Sequence, residues 1–220
     1  MGLAINNLAP AAEDRASGAQ VIDGSLKFVS GSSHYLNRTP GSAGNRRTWT
    51  WSGWVKRASI GVFDGLFGAQ NGTDVTQIRI NSGNSLMLAF FEDGSYSAYA
   101  ISSAAMRDHS AWYHCVAVVD TTVATATDRL ILYINGVRQT IGSEIQITQN
   151  YDTAINSTVQ HNLGANRWNS GQLNYLNGSL TEVNFIDGQA LDASSFGFTD
   201  PLTNTWRPKK YTGTYGTNGF

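Results

Sequence analysis

Leu130-Ile131-Leu132-Tyr133-Ile134-Asn135-Gly136-Val137-Arg138-Gln139-Thr140-Ile141 sets two β-forming runs on either side of an Asn-Gly dipeptide. Branched and aromatic side chains favour extended backbone, and Asn-Gly supplies the positive φ angles of a two-residue hairpin turn. The stretch reads as an antiparallel hairpin, with Arg138 and Thr140 alternating against Val137, Gln139 and Ile141.

The same grammar extends outward in both directions. Strands are expected over 25–30, 47–56, 64–69, 76–80, 85–91, 95–101, 112–120, 129–134, 137–141, 160–164 and 178–186. Asn71-Gly72, Asp93-Gly94 and Asp187-Gly188 provide further turns. Apolar spacing of helical period is not sustained over a dozen positions anywhere. The expected fold is all-β, an antiparallel two-sheet β-sandwich with Trp54, Val116, Val118, Leu132, Ile134 and Val183 inside. Tyr96 and Tyr99, three positions apart, should point to opposite faces of one strand, so at most one could join a site.

Composition narrows the function classes. The 220 residues are 41% hydrophobic but only 14% charged, with a net charge of -1. A near-neutral chain lacks the cationic surface that binds phosphate backbones, so nucleic acid is not an expected partner. The longest apolar runs are far short of the roughly 20 residues that cross a bilayer, and membrane insertion is not expected. Met1–Asp14 shows neither a basic start nor an apolar stretch, so no secretory signal is expected and synthesis in a cytoplasm is. Cys115 is the single cysteine, which rules out an intrachain disulfide. Residues 1–24 and 199–220 differ in texture from the middle. They read as an N-terminal arm and a C-terminal tail flanking a domain over 25–198, with Tyr211, Tyr215 and Phe220 as candidate assembly contacts.

Five segments resemble the laminin G-like, concanavalin A-like jelly-roll superfamily: residues 24–30, 48–56, Trp112-Tyr-His-Cys-Val-Ala-Val-Val-Asp120, Arg129–Val137 and Gly178–Ile186. A narrower combination is similar to tail-fibre-like virion proteins of marine bacteriophages and cyanophages. It comprises Tyr35-Leu-Asn-Arg-Thr-Pro40, Ala43–Arg57, Phe185-Ile-Asp-Gly-Gln-Ala-Leu191 and Trp206-Arg-Pro-Lys-Lys-Tyr-Thr-Gly-Thr-Tyr-Gly-Thr-Asn-Gly-Phe220. In that family the last motif runs on into further sequence, whereas this chain ends at Phe220.

Glycosidases on this jelly roll carry paired carboxylates as Glu-x-Asp-x-x-Glu on one strand. Glu13, Glu92, Glu144 and Glu182 are the only glutamates, and no two lie within five residues of one another, so no catalytic residue is expected. His34, His109, His114 and His161 lack the close spacing of zinc sites. Asp108, Ser110 and His114 lack a nucleophile elbow, and Cys115 sits in an apolar strand as a small hydrophobe. The laminin G likeness brings calcium into view. Asp74, Asp120, Asp128, Asn135 and Asp152 could ligate it at loop ends, but such turns use Asp and Asn without a metal, so no cofactor is expected. Trp49 and Trp51 share a strand face and are expected in packing. Asn166, Arg167, Trp168 and Asn169 lie in a predicted loop between Gly164 and Gly171. They combine a stacking ring with groups for sugar hydroxyls, and they equally fit a contact with a neighbouring subunit.

The resulting expectation is a non-enzymatic bacteriophage virion structural protein, a tail fibre or other appendage, made in the host cytoplasm and located in the virion. Its expected partners are further copies of itself as a homotrimer, other virion proteins and a host-surface glycan. The arms should be ordered mainly by other chains. Capsid decoration, a soluble lectin-like module and a divergent glycan-cleaving enzyme are the alternatives.

Overall fold

The computed structural model describes residues 19–169 and 171–220. In chain order its strands are β1 (Leu26–Phe28), β2 (Leu36–Arg38), β3 (Thr48–Arg57), β4 (Asp64–Asn71), β5 (Asp74–Ile80), β6 (Ser85–Glu92), β7 (Ser95–Ala105), β8 (Tyr113–Asp120) and β9 (Leu130–Ile134). There follow β10 (Val137–Arg138), β11 (Ile141–Ile145), β12 (His161–Leu163), β13 (Asn166–Trp168), β14 (Gly171–Leu173), β15 (Gly178–Asp187), β16 (Gly197–Thr199) and β17 (Trp206–Pro208). Three single-turn 3-10 segments are the only helical pieces among the described residues, and no helix there is long and apolar enough to cross a membrane.

Two antiparallel sheets form the sandwich. One runs β1-β15-β3-β8-β9-β10 and the other β11-β7-β6-β5-β4-β12-β2. Trp49, Trp51 and Val55 of β3 are fully buried between them, with Leu66, Ile78, Leu88 and Phe90 from the facing sheet. The expected packing role of Trp49 and Trp51 is what the fold shows. Strands β3 and β8 are buried on both faces. β8 therefore reads as a near-continuous apolar run, whereas β3 alternates Trp49 and Trp51 with the buried polar Thr50 and Ser52.

Of the six residues expected inside, Leu132 and Ile134 lie in the core between the sheets, and Val183 packs against it partly buried. Trp54, Val116 and Val118 are buried on the opposite, outward face of the six-stranded sheet. Leu191, Ala193 and Phe196 cover that face together with Trp206, Tyr211 and Tyr215 of residues 199–220, and here the expectation of a tail ordered by other chains is corrected. Strands β16 and β17 form a hairpin that lays Trp206 on the His114 ring, 5.9 Å between centroids. Tyr211 packs on Phe196 at 5.2 Å, and Phe220 exchanges two backbone hydrogen bonds with Phe185, of 2.8 and 3.0 Å. An apolar outward face needs cover, and the chain itself supplies it. Of the N-terminal arm, residues 1–18 lie outside the described residues.

The hairpin expected over 130–141 is also corrected beyond its turn. Asn135 and Gly136 take positive φ as expected, and a Cβ on Gly136 would meet the Trp206 ring at 2.4 Å. Val137 and Arg138 pair back on β9, however, and the Gln139 amide makes the last bond to it, at 2.8 Å on the Leu132 carbonyl. The chain then crosses at Gln139-Thr140, and β11 pairs with β7 of the other sheet, so the expected second hairpin strand is split between the two sheets.

Candidate functional site

Strands β5, β6 and β7 present a second apolar cluster on the outward face of the seven-stranded sheet. Val75, Met87, Ala89 and Phe91 are buried there, with Tyr99, Ile101 and Trp168 packed against them. The register sets Val75 opposite Phe91, Gln77 opposite Ala89 and Arg79 opposite Met87. Between β6 and β7 the pairing jumps from Phe90↔Ala98 to Phe91↔Tyr96, so Ser97 is an extra residue. That bulge inverts the alternation locally. Tyr96 and Tyr99 consequently share a face with ring centroids 5.4 Å apart, which corrects the expectation that they point in opposite directions.

The segment expected to be a loop is instead the hairpin β13–β14, folded across β4 and β5. Its backbone lies so close to β4 that a Cβ on Gly65 would sit 2.6 Å from the Asn166 nitrogen. Gln77 Nε2 donates to the Arg167 carbonyl at 2.9 Å and ties the hairpin to β5. The four candidate residues therefore separate. Asn166 is fully buried under the hairpin with neither amide atom hydrogen-bonded, so it is not presented to a ligand. Arg167 is half-buried and contributes its carbonyl. Trp168, half-buried, meets the Phe91 ring edge-on at 4.8 Å. Asn169 is exposed in the turn at a φ of 47°. Trp168 and Asn169 line a cleft of ≈ 360 Å³ with Thr73, Val75 and Asp93.

Arg79 is the group that the sequence reading missed. It is 5% exposed, held over Phe63, Phe91 and Tyr96 at 4.9, 5.5 and 5.8 Å from the ring centroids. Its Nη1 donates to Gln77 Oε1 at 2.9 Å, and Nη2 to Met87 Sδ at 3.5 Å and to the Tyr96 hydroxyl. Its Nε is buried without a partner. Burial pulls its pKa below the usual arginine value, with the Tyr96 hydroxyl opposing. No lone residue in a polar-looking strand signals this in sequence, because the cage is assembled from the β3–β4 connection, β5, β6 and β7.

Paired carboxylates do not meet in the cleft. Asp93 is the one acid lining it among the described residues. Asp74, raised by burial and then by Glu92, lies instead with Glu92 near Tyr151, whose hydroxyl is pushed up by burial and by its hydrogen bond to Glu92. The residues considered for calcium are dispersed. Asp152 pairs with Arg47 and Asp128 with Arg138, both at 2.7 Å, while Asp120 accepts from Thr122 and Asn135 from the His114 backbone. Groups of three or more His, Cys, Asp or Glu placed to hold a metal are absent among the described residues. Cys115 is buried, and burial pushes its thiol up to about 12. A separate cavity of ≈ 210 Å³ is lined by Phe67, Leu163, Phe185 and Phe220, with His161 spent on the Val159 carbonyl and the Asn156 amide.

This fold and its sheets define a lectin-type jelly roll. Residues 30–195 match the family described as the Concanavalin A-like lectin/glucanases superfamily, and the chain belongs to it. Among solved structures it is similar to domains LG4-5 of the mouse laminin alpha1 chain, with a TM-score of 0.54 and 12% identity over 89% of this chain and 47% of that one. It is similar to the heptameric SAP-like pentraxin of Limulus polyphemus, with a TM-score of 0.50 and 16% identity over 79% and 75%. A third is the CBM40 of the Ruminococcus gnavus IT-sialidase bound to alpha2,3 sialyllactose, with a TM-score of 0.50 and 14% identity over 78% and 94%. At these identities the likeness is one of fold. No match was found among curated protein sequences.

Proposed function

We propose that this chain is a non-enzymatic glycan-binding module of a bacteriophage virion appendage, working through the outward face of its seven-stranded sheet. The observation that carries the reading is the outward aromatic cluster of Trp168, Tyr96 and Tyr99 around buried Phe91, beside a cleft lined by Trp168, Asn169, Thr73 and Asp93. Sugars offer apolar C–H faces and polar edges, and rings beside a few polar groups recognise both. The CBM40 module bound to sialyllactose lends support by fold. Hydrolysis is disfavoured because the two-carboxylate mechanism needs a second acid across the scissile bond, and among the described residues Asp93 is the one acid lining the cleft.

The virion context rests on the phage-like motifs, of which Phe185–Leu191 and Trp206–Phe220 are the ones that clamp the tail onto β15. A homotrimer remains the expected assembly, now formed by bodies whose tails are already seated. The test uses virions carrying Trp168→Ala. Loss of host adsorption with the protein present at normal copy number is the expected result. If the protein instead drops out of the particle, Trp168 is an assembly contact and the glycan reading fails.

A further inference from the structure

Buried charges in proteins are ordinarily paired with an opposite charge, because an uncompensated ion loses its hydration for nothing. Arg79 breaks that rule. It is 95% buried by residue, since 5% is exposed, and among the described residues no carboxylate lies within ion-pair distance. Buried Arg57, by contrast, has Asp64 at 2.9 Å. What surrounds Arg79 is three aromatic faces, a glutamine carbonyl, a thioether and a phenol. Ring quadrupoles hold a cation in place, but they are weaker than an anion. The thioether is a weak acceptor, and Nε–H has none.

We infer that Arg79 is the subsite for a carboxylate on the bound glycan, so that the face selects acidic sugars over neutral ones. This deepens the glycan-binding reading and rests on it. A carboxylate accepts two parallel N–H bonds from a guanidinium fork, and on the Nε–Nη2 edge Nε is an empty donor while Nη2 is held by Met87 Sδ and the Tyr96 hydroxyl, the latter being the contact a carboxylate would replace. Of the rings around Arg79, Tyr96 at 45% and Phe63 at 39% are the most exposed, and the Tyr96 hydroxyl is the one on Nη2. Tyr96 lies just past the Asp93-Gly94 turn with its backbone paired to Phe91, and the subsite requires its side chain to rotate off Arg79 while that pairing stays in place. Phe91 touches both Arg79 and Trp168, which places the carboxylate subsite beside the stacking ring within one continuous patch. Asp93 lines the Trp168 cleft, so that part of the patch takes hydroxyls and repels a second carboxylate.

The experiment applies the full chain to an array of sialylated and uronic-acid oligosaccharides with their neutral counterparts, then titrates the best acidic hit and its methyl ester. Acidic hits that weaken at least about tenfold on esterification are expected. Arg79→Gln should flatten that preference while leaving the residual affinity for the ester in place, and a matching thermal transition would show that the variant folds. Hits confined to neutral glycans, or equal binding of acid and ester, overturn the carboxylate subsite and leave the glycan reading standing. An array with no hits overturns both.

Discussion

His114 shows how a single residue ties the tail to the body. Its ring lies between Trp54 and Trp206, at centroid distances of 5.0 and 5.9 Å and interplanar angles of 27° and 23°. An indole N–H can only donate, so the 3.0 Å contact from Trp206 Nε1 makes His114 Nδ1 an acceptor. The proton then resides on Nε2 and is donated to Ser52 Oγ at 2.8 Å. Protonating Nδ1 would set two donors against each other inside an apolar stack. Burial accordingly lowers the pKa to about 3, and His161, its Nε2 accepting from the Asn156 amide, is lowered to about 4. A base depressed in the folded state takes up its proton only on unfolding. Its stabilising contribution is therefore complete above the ordinary histidine pKa near 6.5 and is lost as pH falls toward 3–4. The urea midpoint should drop between pH 7 and 4, and His114→Gln should drop less over the same interval. Identical pH slopes in the two proteins would show that His114 does not contribute.

At the scale of the element, the tail is a structural strand-and-clasp rather than a loose arm. Phe220 pairs with Phe185, the Asp187 amide donates to the Tyr215 carbonyl at 2.8 Å, and Asp187 Oδ2 accepts from the Asn218 amide at 3.1 Å. Removing residues 199–220 would bare Val116, Val118, Ile186 and Phe196 together. That truncation should unfold or aggregate the body, and Trp206→Ala alone should cost about 3 kcal/mol; a truncated chain with an unchanged thermal transition would contradict this. The sequence carries the apolar tail residues and the apolar outer face of β8, but nothing in either run says that they meet. The same limit governs the β10–β11 crossover and the Ser97 bulge. Val137–Ile141 has the period of a single strand, and Ser95–Ile101 looks regular, yet one partner exchange and one extra residue reverse which side chains share a face. Asn135-Gly136, by contrast, is a local signal with a local cause, and it is legible.

For the whole molecule, the two-sheet architecture is readable because many short branched-aromatic runs separated by Asn-Gly and Asp-Gly turns have few other ways to bury themselves. The site is readable only in part. Trp168 stands out by its loop-like neighbours, whereas Arg79 and Gln77 look like ordinary polar residues of an alternating strand until β6, β7 and the β13–β14 hairpin close around them. On the proposed function, glycan binds on this face and not at the loop rim or beneath the tail. Backbone amide shifts of the isotope-labelled full chain, titrated with the best array glycan, test it most directly. The largest changes should map to Gln77, Arg79, Phe91, Tyr96, Tyr99 and Trp168; changes concentrated instead at Asp120–Arg129, at Asp152 or along residues 199–220 would contradict it.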